Sequence, residues 1–350
     1  MSRVKLIPIM ACLLFVSVAA MSPLAPQRRT LDIQCIDVEG GAATLIVTPA
    51  GESILVDTGW PGNDGRDAKR IQHAMQHENI TAIDHLIITH YHQDHVGGVP
   101  ALTALVPVKH FYDHGPMGKG QDRDPNLYAA YLKAAHDKTT ALKPGDQIEL
   151  RHASGTPAIS LVCVASAGAT LRHGNSGGHA NANCAGAKLQ DEDPTDNAQS
   201  IALILRYGNF DFFDGGDLTW NVENKLACPE NVIGQVDLYQ VTHHGGNNSN
   251  NTTLMQSLLP TVAIMNNGAR KGGHPDVVRW IGELPSHTEL YQLHRNVQVK
   301  PEENASADHI ANLEEENDGA NAIEVSVSAA QKAFTVTNTR TGISKTYSIK

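Results

Sequence analysis

The sequence predicts an α/β protein in which two β-sheets pack face to face with helices outside. Three observations carry that reading. Strand-like runs rich in β-branched residues come in two series, one beginning at Leu31 and one at Ser200, each followed by amphipathic helical segments. The two series share the same strand-then-helix order, as two matching halves would. A last group of alternating runs, Ala322–Ser328, Ala333–Asn338 and Lys345–Ile349, closes the chain as an antiparallel meander.

Each element has its own justification. Leu31–Val38, Ala43–Pro49 and Ser53–Asp57 are apolar runs separated by Gly-Gly and Ala-Gly turns. Asp64–Glu78 reads as a helix because Ile71 and Met75 stand four apart on one face. His85–Thr89 is a short apolar strand that leads into a His-rich loop. Val96–Val106 and Asn126–Thr139 have helical spacing, and Ile148–Arg151 and Ala158–Ala165 return to strand. Gly168–Asn197, rich in Gly, Asn and Asp, is expected as a long surface loop.

The second series opens with Ser200–Tyr207 and Phe210–Phe213 around a Tyr-Gly-Asn turn. Helices are expected at Leu218–Ala227, Thr252–Leu259 and Pro275–Leu284, alternating with strands at Val236–Thr242, Thr261–Met265 and Glu289–Leu293. Glu302–Asn321 is polar and acidic and reads as a mobile insertion. Residues 31–350 are thus expected to form a single domain carrying an insertion near 302–321.

Composition narrows the function classes. The chain has 350 residues, 41% hydrophobic and 18% charged, so a sizeable core is available and a disordered polyelectrolyte is excluded. Its net charge of −10 argues against long nucleic acid as a partner and leaves small molecules as the expected substrates. The N-terminus reads as a signal peptide over residues 1–20: Arg3 and Lys5 precede the apolar run Leu6–Ala20, which ends in small residues. That run is short of the roughly 20 residues a membrane span needs. An uncleaved anchor is the competing reading. Residues 21–30 form a leader, and the mature chain is expected to be periplasmic or secreted, without a membrane span. The oligomeric state is left open.

An oxidising compartment changes what the cysteines mean. Cys35, Cys163, Cys184 and Cys228 lack a CxxC spacing. Cys184 with Cys228 is the expected disulfide, since both sit in loop-like context. Cys35 and Cys163 lie in apolar strands and are expected as buried free thiols.

The chemistry is concentrated in Thr89-His90-Tyr91-His92-Gln93-Asp94-His95-Val96-Gly97-Gly98, directly after a strand. His90 and His92 are two apart, so an extended backbone points both imidazoles the same way. Asp94 and His95 follow as the chain turns into a helix, where they can face a second metal. Imidazole nitrogen with carboxylate oxygen suits zinc, or manganese or iron in a more oxygen-rich site.

This pattern, His-x-His-x-Asp-His followed by Gly-Gly, resembles the signature of the metallo-β-lactamase fold superfamily. Ile54-Leu55-Val56-Asp57-Thr58-Gly59 and Phe213-Asp214-Gly215-Gly216-Asp217 resemble further elements of it in the same order. Val241-Thr242-His243-His244-Gly245 resembles the His-His-Gly of the branch found in DNA-uptake channel proteins. The resemblance covers about residues 31–295 and implies a four-layer αββα sandwich and a metal-dependent hydrolase. It implies two divalent ions, zinc by preference: His90 and His92 on one, Asp94, His95 and His244 on the other, and Asp217 shared. His243 stands as a substitute for His244. Asp57 matches a position that orients a ligand histidine.

One departure matters. The lactamase branch carries a further histidine between the first motif and the shared aspartate. Here that stretch reads Asp196-Asn197-Ala198-Gln199-Ser200, with His173 and His179 in the loop before it. Asn197 and Ser200 are candidates for substrate contact or for turn formation. A second feature, Arg270-Lys271-Gly272-Gly273-His274, follows a strand. Arg270 and Lys271 can hold an anionic group and His274 can donate a proton, or the segment is an exposed turn. His294, on an apolar strand, reads as a core residue. The expected reaction is hydrolysis of a phosphodiester or related anionic small molecule. A β-lactamase- or lactonase-type acyl hydrolase and a non-catalytic metal-binding protein are the alternatives.

Overall fold

In the computed structural model the described residues are 1, 30–118, 122–171, 180–315, 319–328, 330 and 332–350. The expected signal peptide and leader fall almost wholly outside them, as do His173 and His179.

Two mixed sheets face each other. Edge to edge, the first runs Ile343–Ser348, Ala333–Asn338, Ile323–Ser328, Leu31–Cys35, Thr44–Val47, Ser53–Val56, Ile83–Ile87, Val108–Asp113 and Thr139–Ala141. The second runs Ile310–Asn312, Glu289–His294, Val262–Met265, Leu238–Gln240, Phe210–Asp214, Ala202–Tyr207, Ile159–Ser166 and Gln147–Ile148. Alternation sorts the side chains of each strand between layers. Ile46, Ile54 and Val56 point inward to meet Leu203, Leu205, Phe212 and Ile264 of the facing sheet. Leu45, Val47 and Leu55 point outward, where Ile71 and Met75 of the helix Arg66–His77 cover them. Outside the second sheet, the helices Trp220–Ala227, Thr252–Leu258 and Pro275–Gly282 cover Phe213, Val241, Ala263 and Met265. The expected four-layer αββα sandwich is the observed fold, and the closing meander extends the first sheet.

Several elements differ from expectation. Val108–Asp113 is a strand, parallel to Ile83–Ile87, although its Lys109 and His110 break the apolar run. The helix expected at Asn126–Thr139 spans Pro125–Ala134, and Thr139–Ala141 joins the first sheet as an edge strand. The segment Val96–Val106 divides into Gln93–Val96 and Val99–Thr103. The acidic insertion near 302–321 contains a buried edge strand, Ile310–Asn312, parallel to Glu289–His294. Asn312 fixes it by donating to the carbonyls of Leu293 at 2.9 Å and Asn321 at 3.0 Å. Composition hid this strand because it is only three residues long and sits in a polar, acidic stretch.

The disulfide joins Cys184 to Cys228, while Cys35 and Cys163 are buried free thiols, as expected. Among the described residues no helix is long and apolar enough to cross a membrane.

Candidate metal centre

Parallel strands end on one side of the sandwich, and their C-terminal turns carry the site. Asp57 follows Ser53–Val56, and Thr89 and His90 follow Ile83–Ile87. From the second sheet, Asp217 follows Phe210–Asp214, the His243–His244 pair follows Leu238–Gln240, and Asn266 follows Val262–Met265. Beneath them Gln240 ties the sheets together. Its Oε1 accepts from Thr44 at 2.6 Å and its Nε2 donates to Asp214 at 3.1 Å.

The Gly97-Gly98 pair has a steric origin. A Cβ on Gly98 would lie 2.0 Å from the carbonyl oxygen of Thr58, and one on Gly97 would lie 2.3 Å from Pro61 Cδ. The short helix bearing Asp94 and His95 can therefore press against the Thr58–Pro61 turn. Thr58 N–H donates to the His95 carbonyl at 2.8 Å, which fixes the two segments in register.

Four buried donor atoms converge. His95 Nε2 lies 3.2 Å from Asp94 Oδ2, 3.3 Å from Asp217 Oδ2 and 3.1 Å from His244 Nε2. His244 Nε2 lies 3.2 Å from Asp94 Oδ2 and 3.3 Å from Asp217 Oδ2. A tetrahedron of donors about 2.0 Å from a central ion has edges of about 3.3 Å, so these residues fit a divalent cation. The rings are turned correctly for it. His95 Nδ1 is 2.7 Å from Asp57 Oδ2, and His244 Nδ1 is 3.1 Å from the Asn266 carbonyl, which leaves both Nε2 atoms facing the centre. Asp57 is itself held by the N–H of Thr89 at 2.8 Å and its hydroxyl at 2.7 Å.

Electrostatics agree with a cation site. Burial alone would raise the Asp217 carboxyl, yet His244, His95 and His243 around it hold it well below the usual carboxylate range. Asp94 is likewise held low against its burial by His95, His244 and Lys271. Burial would lower His95, but Asp217, Asp94 and Asp57 raise it well above the usual histidine range. A proton there occupies the place that a metal cation would take.

The remaining expected residues divide. His90 is fully buried, its Nε2 is 4.0 Å from Asp217 Oδ2, and that nitrogen has no hydrogen-bond partner. Burial and then the neighbouring His95 push its pKa well below the usual value, so it offers a bare lone pair. The His92 ring packs edge-on against His90, with centroids 4.6 Å apart, but its Nε2 contacts the carboxylate of Asp122. Sequence reasoning gave Asp122 no role; it sits just ahead of the helix cap Asp124 with no pattern to mark it.

Ser200 is completely buried, and its hydroxyl accepts from the Asp217 N–H at 3.3 Å, which fits the turn-forming reading. Asn197 is buried, with its Nδ2 3.3 Å from His243 Nε2. Lys271 reaches the site: its ammonium contacts the Asp94 carboxylate and donates to the Gly40 carbonyl at 2.9 Å, with the Trp60 ring centroid 5.0 Å away. Arg270 turns away. Its guanidinium is paired with exposed Glu315 at the surface. His274 caps the helix Pro275–Gly282, its Nδ1 accepting from Asp276 N–H at 3.2 Å.

A second acidic group, Asp37, Glu39 and His294, lies under the neighbouring loop. It carries its own cation: Arg70 Nη1 is 3.0 Å from Asp37 and 3.0 Å from Glu39, and His294 Nε2 is 2.7 Å from Asp37. The arrangement is a buried ion-pair network that braces the turn leading to Gly40.

The two facing sheets and this buried His/Asp cluster are what the sequence resemblance to the metallo-β-lactamase superfamily led one to expect, and comparison with known proteins shows likeness to it. Residues 36–169 match the family model described as the metallo-beta-lactamase superfamily. The lactamase-like protein nscB of Aspergillus fumigatus is 32% identical over 127 residues, spanning 31% of this chain and 36% of nscB. Recombination protein 2 of Haemophilus influenzae is 23% identical over 271 residues, spanning 77% of this chain and 27% of that protein. The match thus covers about a third of these relatives' own length. Among solved structures, the metallo-beta-lactamase fold protein YhfI of Bacillus subtilis aligns over 75% of this chain and 96% of its own. It does so at 11% identity with a TM-score of 0.44.

Proposed function

We propose that the protein is an exported metal-dependent hydrolase acting on a phosphodiester or related anionic small molecule. The observation that carries the reading is the convergence of Asp94, His95, Asp217 and His244 at the spacing of a cation's coordination shell, with the bare His90 nitrogen beside it. Divalent ions held there, zinc by preference, supply Lewis acidity and lower the pKa of water toward about 7.

The chain's own residues do the rest. Asp57 holds the His95 ring so that Nε2 faces the centre. Asp217, supported by Ser200, places one carboxylate where two sites can share it. Lys271, partly exposed at the rim, offers an ammonium to an anionic group on the substrate. Asn197 lies beside the centre, its amide nitrogen 3.3 Å from His243 Nε2. The disulfide supports export, since such bonds persist in oxidising compartments.

The test is a chromogenic panel on metal-reconstituted protein. Chelator-sensitive cleavage of bis(p-nitrophenyl) phosphate is the expected result. Turnover of nitrocefin or a lactone with no phosphodiesterase activity would assign the site to acyl transfer. No metal-dependent activity on any of them would reduce it to a binding site.

A further inference from the structure

We infer that His243 is a metal ligand in its own right, contributing with His90 to a second cation site that shares Asp217. The inference rests on the metal-dependent reading above and assigns the second coordination position that the sequence left short of a histidine.

The geometry supports it. Two donors on one ion can be no further apart than twice the metal–nitrogen distance, about 4.2 Å. His243 Nε2 is 3.6 Å and His90 Nε2 is 4.0 Å from the same oxygen, Asp217 Oδ2. Each nitrogen can therefore share an ion with that oxygen. The backbone presents both members of the pair. His243 and His244 each adopt left-handed conformations, at φ 52° and 53°, which non-glycine residues rarely take up. In an extended backbone, adjacent side chains diverge; this turn lets both reach one aspartate.

The ring's far side is anchored as well. His243 Nδ1 is 3.0 Å from Ser249 Oγ, so with its proton on Nδ1 the lone pair of Nε2 faces Asp217. With the proton on Nδ1, the Nε2 lone pair accepts from the Asn197 amide at 3.3 Å, a contact that an ion would replace.

The experiment strips the protein with chelator, reconstitutes it with Zn²⁺ or Co²⁺, and counts ions per folded chain by mass spectrometry, with Co²⁺ absorption as a second readout. Wild type should hold two ions. His90→Ala and His243→Ala should each hold one, with the same residual Co²⁺ spectrum, while His244→Ala should lose the other. Ser249→Ala should fold normally and weaken the first site about 10-fold, a readout that survives if His243→Ala fails to fold. Two ions at wild-type affinity in His243→Ala, or unchanged affinity in Ser249→Ala, would overturn the inference and leave the hydrolase reading standing. A wild type that binds no ion would defeat the hydrolase reading first.

Discussion

Asp57 and His95 form the contact on which the centre is built: Asp57 Oδ2 lies 2.7 Å from His95 Nδ1, and the opposite nitrogen of that ring lies 3.3 Å from Asp217. Residues from both sheets meet through one imidazole. Because Asp57 is buried and already receives two hydrogen bonds from Thr89, its orientation is fixed before any ion arrives.

Asp57→Asn therefore places an amide where the His95 proton donor points. Metal affinity should fall about 10- to 100-fold with the fold retained, as measured by competition with a chromogenic chelator. Unchanged affinity would mean that Asp57 merely closes a turn.

Lys271 and Arg270 are adjacent in sequence but differ in direction. Lys271→Gln should raise KM for an anionic phosphodiester about 10-fold, corresponding to loss of one charge-assisted contact. Arg270→Ala should leave KM within about 2-fold, since the guanidinium is engaged with Glu315 at the surface. The reverse ranking in steady-state kinetics would place the anion elsewhere.

Glu223 links stability to pH. It is completely buried with its carboxylate accepting from Asn251 N–H at 2.7 Å, and burial pushes its pKa from 4.5 to about 7. Between those values the folded state keeps a proton that the unfolded state has released. Its contribution to stability is therefore present at low pH, declines as pH rises through that window, and levels off above about 7. Glu223→Gln should remove a decline of about 3 kcal/mol from the urea-unfolding profile. Asp214, also raised to about 7 by burial, keeps its own slope in both proteins. Profiles that run parallel would contradict the assignment.

Gly98→Ala tests the packing of the His-rich loop. The new methyl would meet the Thr58 carbonyl at 2.0 Å, so backbone must move. A loss of about 1–3 kcal/mol in stability is expected, together with weaker metal binding, because the same displacement shifts His95. A variant with wild-type unfolding and metal affinity would show that the turn can yield freely.

Much of this was legible before coordinates. The two sheets followed from β-branched runs whose alternation could only serve two apolar faces, and the cluster followed from chemistry concentrated after one strand. The disulfide was legible because two cysteines lay outside strands. Val108–Asp113, interrupted by Lys109 and His110, and the three-residue edge strand Ile310–Asn312 were hidden because pairing to a neighbour supplies what composition does not. The directions of Arg270, His274 and Ser200 were hidden for a different reason. A polar residue near a site can cap a helix, pair at the surface or shape a turn, and only tertiary contacts decide between these. His243 was seen as a substitute for its neighbour because adjacent side chains normally diverge, and nothing local announces two consecutive left-handed residues.

The central claim is that Asp217 sits at the heart of a metal centre assembled from both sheets. Metal content per folded chain, compared between reconstituted wild type and Asp217→Ala, tests it most directly. Two ions in the wild type and less than one in the variant are predicted. Equal metal content in the two proteins would contradict it.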